Sequence, residues 1–380
     1  MSLIVGIDAS RNRSGGAKAH LIGILSECDP AKNGIKEIHI WSYRSLLEML
    51  PDYPWLIKHN PKELEKSLFK QLIWQAVSLN SQLKKVGCDI LFNSSAITFC
   101  RFGPSVVLSQ TMISYEPGVM KYYGYGLERF RLIVIHLLQN LAFRRAAGVI
   151  FLTEYASKMI QKSCGTLKNV AVIPHGVNEI FKNKYPLISW PNQKVRSIRV
   201  VYISQADMYK HQWVVVRAIA LLRKSGLNIN LSLVGGGSGK AQQLLQSTIS
   251  KIQTNENFIQ EINFLPHNDL PKLIAKNDIF IFASSCENLP ITLIEGMAMG
   301  LPIACSDRGP MPEVLQDGGV YFDPESEESI YQALEQIYLS KELRISISRK
   351  AVLLSQKYNW KKCSDETFKF IYQTFKNSGV

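Results

Sequence analysis

Residues 279–305 read Ile279-Phe-Ile-Phe-Ala-Ser-Ser-Cys-Glu287-Asn-Leu-Pro-Ile-Thr-Leu-Ile-Glu295-Gly-Met-Ala-Met-Gly300-Leu-Pro-Ile-Ala-Cys305. A short β-branched and aromatic run is followed by a polar loop, an apolar stretch and a second short apolar run, which is the pattern strand, loop, helix, strand. Pro290 suits a first helical turn, where its missing N–H is not needed, and Gly300 with Pro302 stops the segment, so a helix is predicted over 290–299. Ligands of parallel sheets bind outside the carboxyl ends of the strands. Glu287 therefore falls in a binding loop, and Glu295 lies within the helix that the loop opens. Glu295 stands among Ile291, Leu293, Ile294 and Met297. A carboxylate there needs partners, because an unpaired buried charge is expensive; hydroxyl groups serve well.

Outward from this segment the same alternation recurs. Strands are predicted at Ser197–Ile203, Ile229–Val234, Ile262–Leu265, Ile279–Ala283, Ile303–Ser306 and Val320–Phe322, each followed by a helical pattern. An earlier set is predicted at Leu3–Ile7, Ile38–Trp41, Ile90–Asn93, Ser105–Leu108, Gly148–Leu152 and Val170–Ile173, with helices at 62–85 and 127–146 between them. At 380 residues, 46% of them hydrophobic, the chain exceeds one usual core. The reading is α/β twice over: a first Rossmann-like domain over 1–180, a linker at 181–195 where periodicity fails, and a second over 196–358. A last helix at 360–378 is expected to pack back on the first domain.

The net charge of +13 is uneven, the first 180 residues holding 21 Lys+Arg against 13 Asp+Glu. Phosphate-bearing small molecules and anionic lipid suit this balance. Nucleic acid is not expected as a partner, since neither a Lys/Arg block nor a zinc-knuckle spacing occurs. The seven cysteines are scattered without a C-x-x-C pair, which fits a reducing cytosol rather than a disulfide framework. Met1 leads straight into a strand, and no apolar stretch approaches the roughly 20 residues needed to span a bilayer, so a cytoplasmic protein is expected. The segment 121–145 carries Tyr122, Tyr123, Tyr125 and arginines at both ends of an apolar helix. It reads either as a core helix with snorkelling arginines or as a face for an anionic membrane or a lipid-pyrophosphate acceptor.

The order of motifs resembles the family-4 retaining glycosyltransferases of GT-B architecture, two Rossmann-like domains facing across a cleft. Glu287 and Glu295 match E-x7-E, and Gly300-Leu-Pro-Ile-Ala-Cys-Ser306 followed by Pro312-Glu-Val314 continues the signature. Val172-Ile-Pro-His-Gly-Val177, Leu233-Val-Gly-Gly-Gly237 and Tyr358-Asn-Trp360 extend it. The resemblance implies a nucleotide-diphosphate sugar as donor co-substrate, a hydroxyl of a glycan or lipid-linked saccharide as acceptor, and retention of anomeric configuration. It gives Glu295 the donor ribose, Glu287 the donor sugar and Lys210 the phosphates, with Gly235, Gly236, Asn288, Leu289, Pro290, Gln205 and Leu265 completing the donor side.

On the facing side the resemblance assigns Gly15 and Gly16 to the diphosphate and acceptor. Arg13, with Arg11 and Lys18, is read as either a solvated charge or an anion contact. Gln205 stands where relatives have an Arg, and Gln110 where many have a His. Gln110 has no basic nitrogen at neutral pH, but in a front-face retaining reaction the departing phosphate oxygen takes the acceptor proton. With no D-x-D string, positive side chains and helix amino ends are expected to stabilise the leaving group, without an essential metal or other cofactor. His175 and Gly176 are read as shaping the turn between domains. The alternatives are a catalytically inactive sugar-nucleotide-binding partner subunit, suggested by Gln205 and Gln110, and an epimerase of the same fold. A nicotinamide dehydrogenase fits poorly, because Gly6, Gly15 and Gly16 do not give G-x-G-x-x-G.

Overall fold

The computed structural model describes residues 2–182, 190–191, 196–253 and 257–379. Most of the expected linker, 183–189 and 192–195, lies outside the described residues. The chain divides into two compact units, one made of the residues up to Gly176 together with those from Tyr358 onward, the other of Val177–Lys357.

In the first unit seven strands form a wholly parallel sheet: β1 (Leu3–Asp8), β2 (Ile35–Trp41), β3 (Leu56–His59), β4 (Ile90–Asn93), β5 (Ser105–Leu108), β6 (Gly148–Phe151) and β7 (Val170–Val172), in the order β3-β2-β1-β4-β5-β6-β7. The second unit carries a parallel sheet of β8 (Ile198–Ile203), β9 (Ile229–Val234), β10 (Ile259–Ile262), β11 (Ile279–Phe282), β12 (Ile303–Ser306) and β13 (Val320–Phe322), in the order β10-β9-β8-β11-β12-β13. Each sheet reverses its order once, between β1 and β4 and between β8 and β11. At such a switch point the loops diverge and leave a crevice at the carboxyl ends. The central strands are buried on both faces, as helices on either side require.

Three elements differ from the sequence reading. The strand placed at Ile262–Leu265 lies earlier, at Ile259–Ile262, and Phe264 is exposed beyond its end. This edge strand reads Ile-Gln-Glu-Ile, so apolar content pointed to the wrong four residues. The short edge strand β3, Leu-Ile-Lys-His, was not predicted for the same reason. The single helix expected over 62–85 is three pieces, Lys62–Glu65, Leu68–Val77 and Leu79–Lys85, broken at Ser67 and Ser78.

The C-terminal helix Trp360–Asn377 closes the first unit by packing on the helix Gly15–Ser26. Ser364 Oγ donates to the Ile24 carbonyl at 2.7 Å. Gly23 and Gly176 make this approach possible: a Cβ on Gly23 would lie 2.3 Å from the Trp360 ring, and one on Gly176 2.3 Å from the Trp360 backbone nitrogen.

Candidate active site

The loops that diverge at the β8/β11 switch point carry Lys210 and Glu287. After β8 the chain runs through Ser204–Asp207 into the short 3-10 turn Met208–Lys210, which Asp207 caps by accepting from the Met208 N–H at 2.7 Å. The buried Tyr202 hydroxyl donates to the Lys210 carbonyl at 2.7 Å and fixes the turn from below. His211 follows in the left-handed region, φ 49°, and its ring nitrogen Nε2 meets Ser285 Oγ at 2.9 Å, while the Ser285 N–H donates to the Tyr209 carbonyl at 2.8 Å. The two loops are thus laced together, and Lys210 Nζ pairs with Glu287 Oε1 in a largely buried contact. Lys210 Nζ also lies 5.6 Å from the Phe282 ring centroid, where the apolar strand end limits water.

Glu295 occupies the helix Ile291–Met299, one residue shorter than predicted because Pro290 precedes its first turn. Gly296 presses this helix onto β11, since a Cβ there would meet the Phe280 ring at 2.9 Å. That contact buries the neighbouring Glu295, which finds one partner in His267 Nε2 at 2.7 Å. His267 lies in the 3-10 turn His267–Asp269 after β10 and leans edge-on against Phe181 at 5.1 Å. Burial raises the Glu295 carboxyl above its ordinary range, and the hydrogen bond to Glu295 raises the His267 imidazole. The bond to His267 pulls the Glu295 carboxyl down, but burial outweighs it. No sequence feature marked His267; its pairing arises from how the loop after β10 closes on a helix 28 positions later.

The other residues expected on the donor side lie on neighbouring loops of the same unit. Asn288, Leu289 and Pro290 are buried in the loop that leads into the Glu295 helix, and no side chain caps that helix's amino end. Gln205 is exposed at the carboxyl end of β8, and Leu265 is half-buried in the loop beyond β10. Gly235 and Gly236 have φ of 128° and 59°, and a Cβ on them would lie 2.6 Å from the Ser204 carbonyl oxygen and 2.7 Å from that of Asn263. The Gly235 N–H donates to the Ile262 carbonyl at 2.9 Å, so this group serves the sheet edge. The glycine run therefore lets three loop backbones converge beside Gln205.

In the first unit, Gly15 and Gly16 open the helix Gly15–Ser26 behind its cap Ser14, both exposed. Arg13 is tied into the fold: its guanidinium stacks 3.5 Å over the Tyr43 ring and donates to the Leu64 carbonyl at 3.1 Å. Gln110 lies just past β5, with its Nε2 buried and without a hydrogen-bond partner among the described residues. At the β1/β4 switch point stands a polar cluster that the sequence did not reveal. Buried Asp8 accepts from Gln75 Nε2 and from the Ser10 N–H at 3.0 Å, and Asn12 accepts from Ser94 Oγ at 2.6 Å while donating to the Ala17 carbonyl at 3.1 Å. These bonds fix the loop that presents Gly15. Burial raises the Asp8 carboxyl above its usual range. His175, expected to shape a turn, lies buried in a stack with His20 and Trp360.

Comparison with known proteins agrees with the fold. Residues 188–352 match the family described as glycosyl transferases group 1. The chain is 27% identical over 114 residues to the O-antigen chain mannosyltransferase B of Escherichia coli, 30% of each chain, so the match spans under a third of that enzyme. It is 25% identical over 317 residues, 82% of this chain and 81% of the other, to an uncharacterized glycosyltransferase of Haemophilus influenzae. Among solved structures, the Anabaena protein HepE in complex with UDP and glucose superposes with a TM-score of 0.69 at 18% identity, covering 96% of this chain and 98% of that one. This last likeness is one of fold, the GT-B arrangement of two parallel-sheet Rossmann-like domains. Through residues 188–352 the chain is similar to the glycosyl transferases group 1 family.

Proposed function

We propose that this chain transfers a hexose from a nucleotide-diphosphate sugar to a hydroxyl of a glycan or lipid-linked saccharide, with retention of anomeric configuration, in the synthesis of a bacterial surface polysaccharide. The observation that carries the reading is the ion pair of Lys210 and Glu287, one from each loop of the β8/β11 switch point. A lysine there neutralises the charge that develops on a departing diphosphate, and a carboxylate beside it holds sugar hydroxyls. Glu295 takes the donor ribose, in a site already built to hold a buried carboxylate. The amino end of the helix Ile291–Met299 adds positive potential, so the leaving group needs no metal. With no basic side chain at Gln110, the acceptor proton passes to the departing phosphate oxygen. The mannosyltransferase relative supports a polysaccharide setting, and the neighbour crystallised with UDP and glucose supports a nucleotide-sugar donor.

The test is donor hydrolysis and transfer with a panel of UDP-, GDP-, dTDP- and ADP-sugars, in the presence of EDTA, with the product anomer read by proton NMR. Lys210→Ala is expected to lower kcat by roughly 10²–10³. Full turnover in that variant would remove Lys210 from the reaction. Donor binding with no turnover across acceptors would instead favour a sugar-nucleotide-binding partner subunit, and an inverted product would end the retaining assignment.

A further inference from the structure

The helix Leu127–Arg145 turns Gln139, Asn140, Ala142 and Phe143 into the first unit, so its inward side is polar at two positions and apolar only near its carboxyl end. Gln139 and Asn140 are buried, and they join His136 in a network with the segment 114–115 and the helix Glu154–Cys164. Tyr115 donates to Asn140 Oδ1 at 2.9 Å, and Asn140 Nδ2 donates to Ser163 Oγ at 2.9 Å. Ser163 in turn donates to His136 Nε2 at 2.7 Å, and His136 Nδ1–H donates to the Ser114 carbonyl at 3.1 Å. This assignment satisfies both ring nitrogens with one tautomer.

The opposite side is apolar and open. Leu127, Phe130, Val134, Leu137 and Leu141 are 88, 64, 38, 62 and 42% exposed, spaced by three and four residues so that they form one stripe along the helix. A helix bathed in water carries the reverse pattern, with its apolar stripe inward. A contiguous exposed stripe of this kind marks a surface that is covered in use. On the same unit the helix Leu68–Val77 exposes Leu68, Phe69, Ile73 and Val77. Between the two helices lies a cavity of about 850 Å³ lined by Ala76, Leu138 and Leu141 together with Arg101 and Arg145.

Charge decides what covers this face. The helix bears Arg129, Arg131, Arg144 and Arg145 against Glu128 alone, and of the exposed lysines Lys66 precedes the second helix and Lys70 lies on it. Among the described residues the guanidinium groups of Arg101 and Arg145 pair with no acid and make no hydrogen bond. A second copy of the chain would bring like charges together around the stripe. An anionic surface answers both the apolar stripe and its basic surroundings. No helix among the described residues is long and apolar enough to cross a bilayer, which leaves a helix lying in the interface.

We propose that the first unit docks peripherally on an anionic lipid bilayer, with the stripe Leu127–Leu141 seated at the boundary of headgroups and acyl chains and Arg101 and Arg145 on lipid phosphates. This surface is independent of the proposed reaction, and so is its test. The full chain is floated with vesicles of phosphatidylcholine alone and of phosphatidylcholine mixed with phosphatidylglycerol. Binding is expected only to the anionic vesicles and is expected to weaken with salt. The triple variant Leu127→Ser, Phe130→Ser, Leu137→Ser is expected to bind at least about tenfold more weakly, with an unchanged unfolding midpoint because these side chains are exposed in the folded protein. No binding by the wild type to anionic vesicles, or equal binding by the triple variant, overturns the proposal. So does a wild-type dimer in analytical ultracentrifugation that the triple variant converts to monomer, because the stripe would then belong to a second copy.

Discussion

Glu295 and His267 hold each other across 2.7 Å, the carboxylate fully buried in the second unit and the imidazole half in water. The contact supplies Glu295 with one hydrogen-bonding partner, and the proposed function gives its remaining hydrogen-bonding capacity to donor hydroxyls. The two variants should therefore behave differently. His267→Ala is expected to lose about 1–2 kcal/mol of stability, less than a fully buried pair would, because the imidazole is partly solvated. It should still be stabilised by donor. Glu295→Ala should fold, yet gain nothing from donor, where the wild type at about a hundred times Kd gains about 2.7 kcal/mol. Thermal melts of both variants with and without nucleotide sugar check this; donor stabilisation of Glu295→Ala at the wild-type level would remove the ribose role.

The glycines separate packing from ligand contact. Gly236 sits at φ 59° with the Asn263 carbonyl oxygen 2.7 Å from where a Cβ would be, and both conditions oppose a side chain. Gly236→Ala is expected to cost about 1–3 kcal/mol in urea unfolding, with or without substrate. Gly15 begins a helix with nothing within 4 Å of its Cβ position. Gly15→Ala should be neutral or slightly stabilising in the same experiment. A fall in turnover for Gly15→Ala without a fall in stability would support its contact with the diphosphate or acceptor. A fall in both would make it a packing residue.

Much of this was legible because parallel strands buried on both faces are near-continuous apolar runs, and β4, β6 and β11 stand out on that ground alone. Edge strands carry no such mark, and β3 and β10 mix polar residues into four positions each. Glu287 was legible as a residue just beyond a strand end and Lys210 through the resemblance, and the adjacency of β8 and β11 brings their loops together. The partners His267 of Glu295 and Gln75 of Asp8 were not. They depend on loop closure over 28 and 67 positions, which local periodicity does not encode. The helix Leu127–Arg145 was ambiguous in sequence because apolar residues fall on most of its circumference. Only the fold tells which side is covered.

His20 and His175 provide a stability test that runs with pH. Their rings stack at 4.4 Å inside the first unit, His175 lies 5.6 Å from Trp360, and neither imidazole has a hydrogen-bond partner among the described residues. Burial lowers both below the ordinary histidine value, His175 to about 3, and His175 lowers His20 further. In the unfolded chain each titrates near 6.5. Between about 3 and 6.5 the unfolded chain binds a proton that the folded chain refuses, so stability rises with pH in that window and is lost as pH falls through it. The His267 pair acts in the opposite sense, favouring the folded state at low pH, since the imidazole there is raised. A single variant isolates the stack: His175→Leu should lower the pH slope of unfolding free energy by about 1.4 kcal/mol per pH unit between about pH 6 and 5. Urea titrations of wild type and variant at those pH values measure the slope directly. An unchanged slope would mean that His175 takes up its proton in the folded state as readily as in the unfolded one, and the buried neutral stack would be wrong.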